Sequence, residues 1–429
     1  MELNAPKGTR DFLVPEKRLR DQIVEKAKAV FEQYGFSSIE TPTFERYEVL
    51  SAKFAAGEES DALRETFQFE DQGGRKLGLR FDLTVPLARV VAQNQQLRYP
   101  FKRYQVERVF RDGPVEANRY REFLQCDVDT VGASGMMADA EILALAQALY
   151  QSLGIKAVLR VNNRKLLNEL LEAFRVPDGA RESALIALDK LDKQSAENVE
   201  KEMVEKGVPE TAAKRFLELA RLKGSDSEKE KRLTQILGQS AGLKETKELL
   251  SYCRQLGVLV EWDLSLARGL AYYTGPVFEA TSAEQLVKGS IGGGGRYDNL
   301  IGGFLDGKKI IPATGFSFGI ERMFDLLKER KSVVGEAKPS WFVFGIGVRM
   351  ETLLPLVQQL RSIGLNVSFD LLDRGASKNL DFASKEGFSY CVIVGEDERK
   401  KKEISLRDMK TGKQRKVKLS KIALLKKFS

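Results

Sequence analysis

Val109-Phe110-Arg111-Asp112 and Arg119-Tyr120-Arg121-Glu122-Phe123 flank a short stretch that opens with the turn signal Asp112-Gly113-Pro114. The β-forming runs on either side, Phe101 to Phe110 and Arg121 to Val131, read as antiparallel strands joined by a hairpin loop. Side chains near such a loop project over one face of the sheet, so the arginines converge there. Arginine forks suit triphosphate oxygens, and Phe123 offers a ring on which adenine can stack. A surface arginine cluster is also an ordinary solvated or structural feature, and the hairpin alone does not separate the two.

Outward from the hairpin, Thr66 to Glu70 and Lys76 to Arg80 add strands around the turn Asp71-Gln72-Gly73-Gly74, so an antiparallel sheet is expected. Residues 17 to 34 carry Leu19, Ile23, Ala27, Val30 and Phe31 on one helical stripe that Gly35 stops, followed by an extended Phe36 to Glu40. A second helix is expected over Ala138 to Leu153. From about 175 to 256 the pattern turns helical and Lys/Glu-rich, and strands resume at Val258 to Asp263. A glycine-rich turn is expected after Val287, then a strand at Ala313 to Phe318, a helix from Gly319 and a linker at Gly335 to Pro339. The remainder, Trp341 to Val394, alternates as βαβαβ.

At 429 residues the chain exceeds the size of a single growing core, and 42% hydrophobic with 30% charged residues is an ordinary globular composition. No apolar run approaches the roughly 20 residues that span a bilayer. With no leader-like N-terminus, a cytoplasmic protein without membrane attachment is expected. Cys126, Cys253 and Cys391 are isolated and read as buried thiols. The net charge of +8 includes a cluster at Lys400, Lys401, Lys402, Lys413, Arg415, Lys416 and Lys418, which fits a polyanion partner or a solvated surface equally. The chain has no histidine, which removes Ser-His-Asp and Cys-His catalysis, His-ligated zinc and a histidine base. What remains is chemistry run by arginines, carboxylates, tyrosines and a divalent ion.

Gly315-Phe316-Ser317-Phe318-Gly319-Ile320-Glu321-Arg322 turns a β-run into a helix with Arg322 in its first turn, where a guanidinium can cover a nucleotide. Taken alone, the segment favours a surface arginine on an amphipathic helix whose Ile320, Phe324 and Leu327 face the core. Gly292-Gly293-Gly294-Gly295 before Arg296-Tyr297-Asp298 matches no phosphate-loop fingerprint and reads alternatively as a strand with close backbone approach. In order, these segments resemble the signature motifs of class II aminoacyl-tRNA synthetases, and most closely the histidyl-tRNA synthetase family. Pro6-Lys7-Gly8-Thr9-Arg10-Asp11-Phe12 is similar to that family's opening, Gly35 to Pro42 to motif 1, Arg111 to Asp129 to motif 2 and Gly315 to Arg322 to motif 3. Arg268-Gly269-Leu270-Ala271-Tyr272-Tyr273-Thr274-Gly275 and Gly294 to Asp298 resemble stretches particular to the histidine enzymes. Ala271 departs from the family's common aspartate, and the loop Gly113 to Asn118 is also variant.

The resemblance implies an α+β catalytic domain on an antiparallel sheet over 1–174 and 257–334, a helical insertion at 175–256 and an α/β anticodon-binding domain at 338–429. It makes Arg111 and Arg119 phosphate ligands, sandwiches adenine between Phe123 and Arg322, and gives Asp82, Thr84 and Gln125 the substrate ammonium. Asp129 and Tyr273 would read the imidazole, Tyr297 would help close the pocket, and Arg268 would meet the reacting carboxylate and α-phosphate, with Arg111 and Arg322 as its catalytic partners. The implied substrates are L-histidine, ATP and tRNA-His, with Mg²⁺ on ligands the sequence does not identify, in a homodimer. The rival is a non-charging regulatory paralogue of histidine biosynthesis; a protein that merely binds nucleic acid through the C-terminal cluster leaves the central arginines unexplained.

Overall fold

In the computed structural model the chain divides into two compact units, Met1–Val334 and Gly335–Ser429. The structure describes residues 2–14, 16–52, 64–115, 119–268, 272–284, 286–287, 289–305, 307, 309–330 and 339–428. Gly269, Leu270 and Ala271, residues 116–118 of the variant loop and residues 335–338 of the expected linker lie outside them.

The described strands of the first unit are β1 (Ser37–Ser38), β2 (Phe44–Arg46), β3 (Gln68–Glu70), β4 (Lys76–Leu79), β5 (Phe101–Phe110), β6 (Glu122–Val131), β7 (Ala157–Asn163), β8 (Val260–Trp262), β9 (Pro276–Ser282), β10 (Ser290–Arg296) and β11 (Ala313–Gly319). Eight of them form one sheet in the order β1-β5-β6-β11-β10-β9-β7-β8. Its centre is antiparallel from β5 through β7. The antiparallel sheet expected is present, and the outer pairs β1 with β5 and β7 with β8 add parallel strands at its edges. Both outer pairs are closed by long crossovers, which parallel pairing requires and a hairpin cannot supply. The strands expected early in the chain are present, but β2, β4 and β3 form a separate three-stranded antiparallel sheet. The glycine-rich segment is strand β10 rather than a turn, because β9 and β11 supply ladder partners on both sides.

The helices Glu16–Gln33 and Met136–Ser152 cover one face of the large sheet. Phe31 packs its ring 5.4 Å from Tyr104 and 5.7 Å from Phe318, and its truncation to alanine should cost about 3–5 kcal/mol. The helical block begins earlier than residue 175, with Arg164–Ala173, and runs to Ala241–Gln255. Its buried Leu166, Leu185, Phe216 and Leu250 share one continuous core with the sheet. The loop before Asp226–Leu237 ends in a capping box in which Ser225 and Glu228 satisfy each other's backbone N–H groups.

The second unit has its own five-stranded sheet, from β12 (Ser340–Ile346), β13 (Asn366–Phe369), β14 (Tyr390–Gly395), β15 (Glu403–Asp408) and β16 (Gln414–Lys418), ordered β13-β12-β14-β15-β16. The expected βαβαβ segment is its parallel part, with the helices Leu354–Ser362 and Ala376–Lys385 as crossovers. Alternation along β12 sends Trp341 and Val343 into one core and Phe342 and Phe344 into the other. Two antiparallel strands, β15 and β16, extend it. Lys413 precedes the outer strand, and Arg415, Lys416 and Lys418 lie on it. Lys416 is tied to Glu398 at 3.2 Å and Glu403 at 3.1 Å. All three cysteines are buried, as expected.

Candidate active site

Strand alternation builds the floor of the site. On β6, Cys126 and Val128 point into the helix-covered core, so Phe123, Gln125, Asp127 and Asp129 face the other way. Register places Arg103 and Gln105 of β5 beside Asp129 and Asp127, and Gly315 and Ser317 of β11 on their other side. Arg103, fully buried, sets its Nη2 2.7 Å from Asp129 Oδ2 and donates to Leu83 O at 3.2 Å. Gln125 Nε2 donates to Asp127 Oδ2 at 3.1 Å. Asp82 Oδ1 accepts from the N–H groups of Thr84 and Val85 at 3.2 and 3.0 Å, which fixes its carboxylate at the start of the helix Thr84–Gln93. Burial pushes the Asp127 carboxyl up to about 7, Arg103 restrains the rise, and Asp129 adds to it. Burial likewise raises Asp129, against the pull of Arg103.

Three tyrosines wall this floor. The Tyr272 and Tyr273 rings lie 4.5 Å apart, and Tyr272 meets Tyr297 edge-on at 6.1 Å. Tyr297 donates its hydroxyl hydrogen bond to Asp129 Oδ1. Asp129, expected to read a ring nitrogen, is therefore held from two sides by Arg103 and Tyr297. Burial raises the Tyr297 hydroxyl well above its ordinary value, reinforced by Asp129, so it stays a donor. The glycines make room for these groups. A β-carbon at Gly315 would stand 2.0 Å from Asp129 Oδ1, and one at Gly293 would stand 1.8 Å from Arg268 Nη1. Close approach, the alternative reading of the glycine run, explains why these strands carry no side chains here.

Beyond the floor lie the arginines. The Arg111 guanidinium sits between the rings of Phe81 and Phe123, 4.3 and 5.0 Å from their centroids. Arg119 pairs with Glu65 at 2.6 Å. Arg322 donates to Ser290 O, and Arg268 donates to Phe278 O at 3.3 Å with Glu279 at 3.9 Å. Burial lowers the Arg111 pKa against the pull of Asp82 and Glu65, with a smaller push from Arg119; burial lowers Arg322 against the pull of Glu279, with smaller pushes from Arg119 and Arg268. Burial works against the Arg268 charge as well, but Tyr273 and Glu279 raise its pKa overall. Phe123 lies on β6 just past the end of its pairing with β11, and Arg322 starts the helix that follows β11.

Several groups that sequence reasoning did not single out hold these side chains in place. Glu321, buried beside Arg322, accepts from Leu124 N at 3.1 Å and from Arg20, which locks the helix Ile320–Glu329 against β6 next to Phe123. Arg268 has a positive φ of 48°, and Arg164 donates to its carbonyl at 3.4 Å. Asn162 holds the preceding turn through Leu264 O at 3.2 Å and Leu266 O at 2.9 Å. Arg10 stacks 4.2 Å from the Tyr120 ring centroid, and Gly8 O accepts from Arg121 N at 2.8 Å, so the opening segment braces the hairpin. Arg296, by contrast, is turned into the core onto Asp139. A polar residue recurring at every second position of β5 and β6 was the readable signal for Arg103 and Asp127. Among the described residues no group of three potential metal-ligating side chains occurs.

The sequence matches the histidyl-tRNA synthetase family over residues 8–323. The chain belongs to that family. Residues 344–425 match an anticodon binding domain. A relative named histidine–tRNA ligase 1 from Bacillus cereus is 39% identical, covering 99% of both chains. One named histidine–tRNA ligase 2 from Shouchella clausii is 33% identical over 96% of this chain and 98% of its own. Among solved structures, the histidyl-tRNA synthetase from Nostoc sp. PCC 7120 aligns with a TM-score of 0.85 at 31% identity, covering 100% of this chain and 99% of that one. The class II catalytic fold with a C-terminal anticodon-binding domain is therefore established for this chain, as is its place among aminoacyl-tRNA synthetases. A structure titled ATP phosphoribosyltransferase regulatory subunit/histidyl-tRNA synthetase, from Bacillus halodurans C, shares the fold at 22% identity, with a TM-score of 0.75 over 92% of this chain and 98% of that one. Among the described residues no helix is long and apolar enough to cross a membrane.

Proposed function

We propose that this chain is a histidine–tRNA ligase that joins L-histidine to ATP as histidyl-adenylate and then transfers histidine to tRNA-His. The observation that carries the reading is the placement of four arginines, Arg111, Arg119, Arg268 and Arg322, beside a carboxylate and tyrosine floor. The cations suit a polyphosphate, and the floor suits an amino acid with a cationic head and a ring bearing polar nitrogens. Asp82, Thr84 and Gln125 hold the ammonium; Asp129 and Tyr273 address the ring, with Tyr297 fixing Asp129.

The histidine carboxylate attacks the α-phosphorus, the bond to the bridging β-phosphate oxygen breaks, and pyrophosphate leaves. A carboxylate is already a nucleophile at neutral pH, so the step needs alignment and charge stabilisation and no general base. Arg268 is placed for the developing charge, Arg111 and Arg119 for the phosphates, and Arg322 with Phe123 for adenine. The terminal ribose hydroxyl of tRNA-His then attacks the carbonyl and AMP departs. Mg²⁺ bound to the triphosphate would neutralise phosphate charge beside Arg111 and Arg119.

The domain at 338–429 binds the anticodon. The protein works in the cytoplasm as a homodimer; β1, the exposed edge strand of the motif 1 segment, and the exposed Phe44 and Phe69, whose rings lie 6.1 Å apart, support that contact. The regulatory-paralogue reading is not favoured, given 39% identity to a ligase and the anticodon-domain match. Histidine-dependent exchange of pyrophosphate into ATP tests the proposal. Exchange driven by another amino acid, or none, would remove it.

A further inference from the structure

Three carboxylates line the floor. Asp127 and Asp129 lie beside Arg103, whose guanidinium is 2.7 Å from Asp129, while Asp82 also faces Arg111. Asp129 also accepts from Tyr297, and Asp82 accepts from two backbone N–H groups. Asp127, 3% exposed, has the Ser317 hydroxyl and Gln125 as its neighbours on the sheet face. Its Oδ2 accepts from Gln125 Nε2 at 3.1 Å, while its Oδ1 and Gln125 Oε1 are buried and make no hydrogen bond. Two empty acceptors on neighbouring side chains of one sheet face are the complement of a compact group with several N–H donors, which an ammonium supplies.

We infer that Asp127, together with Gln125, takes the α-ammonium of the amino-acid substrate, and that the proton its carboxyl holds is released as the ammonium arrives. This rests on the amino-acid reading above. The balance is simple, since a neutral carboxyl and a bound cation become an ion pair and one proton leaves to solvent. Burial and the neighbouring carboxylates put the Asp127 carboxyl at about 7 in the empty site. The charged and titratable groups around it are Arg103 and Glu107 of β5, Asp129 of β6, Asp82 before the helix Thr84–Gln93, and Tyr272 and Tyr297 from the walls. Arg103 acts on both Asp127 and Asp129 and leaves the Asp127 carboxyl raised, so a second cation beside it shifts Asp127 further to its charged form. Asp127 thereby becomes a specificity-determining residue, favouring a positively charged head over a neutral analogue.

Calorimetric titration of L-histidine into the intact protein, in buffers of different ionisation enthalpy, counts the protons released. About half a proton is expected from Asp127 at pH 7, close to one below pH 6, and little above pH 8. The ligand's own imidazole titrates at about 6.5, so Asp127→Asn is titrated alongside, and the difference belongs to Asp127. The variant should release no proton from this position and bind at least tenfold more weakly at pH 8, with the gap closing by tenfold or more at pH 5.5. Thermal melting checks that it folds. A second probe needs no variant: 1,2,4-triazole-3-alanine, whose ring stays neutral across this range, should bind the natural protein about tenfold more weakly per pH unit below 7. Equal proton release by both proteins, or a triazole-alanine affinity flat from pH 5.5 to 8, would overturn the inference while leaving the amino-acid reading standing. Histidine binding by neither protein would remove both.

Discussion

Replacing Gly293 by alanine perturbs the chemistry without touching any side chain assigned to it. The added β-carbon would stand 1.8 Å from Arg268 Nη1, 2.7 Å from its Cζ and 2.8 Å from Phe278 O. Relaxed contact lies at roughly 3.5 Å, so the guanidinium must retreat by about 1.7 Å, while β9 and β10 must part by less than an ångström around Phe278 O. Overpacking of this kind costs about 1–3 kcal/mol of stability. Displacing a preorganised group by about 1 Å costs roughly 10²-fold in rate, and losing one donor to developing charge costs about 10² to 10³. Gly293→Ala should therefore slow adenylation about as much as Arg268→Ala, with ATP still held by Arg111, Arg119 and Arg322. The double variant should be little worse than either single one, because both remove the same interaction. Arg268→Lys should restore only part of the rate, since a point charge cannot bridge two oxygens as a planar fork does. Single-turnover adenylation, ATP titration and thermal melting on the three variants provide the measurement. Near-normal adenylation in folded Gly293→Ala, or additive losses in the double variant, would refute the assignment of Arg268 to the reacting atoms.

The raised Asp127 carboxyl carries a stability signature. Because its folded value of about 7 exceeds the unfolded value of about 3.9, the native state holds the proton longer, and stability falls as pH rises from about 4 to 7, by up to about 1.4 kcal/mol per pH unit. Asp127→Asn should lack that fall in the unliganded protein, seen as a higher melting temperature than the natural chain at pH 8 and none at pH 4; parallel melting curves against pH would contradict it. Deleting residues 340–429 should leave adenylate formation largely intact and sharply lower tRNA charging, since the two units have separate cores. Loss of both activities in a folded truncation counts against the division, as does a tRNA affinity of the whole chain that does not weaken with salt. The absence of histidine should let the chain be made when charged tRNA-His is scarce. Versions with several exposed histidines added should be synthesised less under histidine starvation, and equal output would end the idea.

Much of this protein was legible locally. The hairpin of Arg111 and Arg119, the strand-to-helix passage at Gly319 and the alternation that splits Trp341 from Phe342 all depend on period and turn chemistry, which a linear sequence displays. So did the broad division into a sheet-bearing unit and a C-terminal α/β unit. Pairing partners were not legible: β1 and β8 join the sheet in parallel because of long crossovers, and the glycine run becomes a strand because β9 and β11 flank it. β15 and β16 carried only a weak alternation, Ile404 and Leu406, under a heavy load of charge. The same limit applies to the site. Arg111, Arg268, Arg322, Asp129 and the tyrosines could be named from their motifs, whereas Arg103, Asp127, Glu321 and Arg164 acquire meaning only when strands distant in sequence lie side by side. A charge in isolation says nothing of its partner. Whether Arg103 is a surface cation or the buried counterion of Asp127 and Asp129 is decided by register and burial, which exist only in the folded chain.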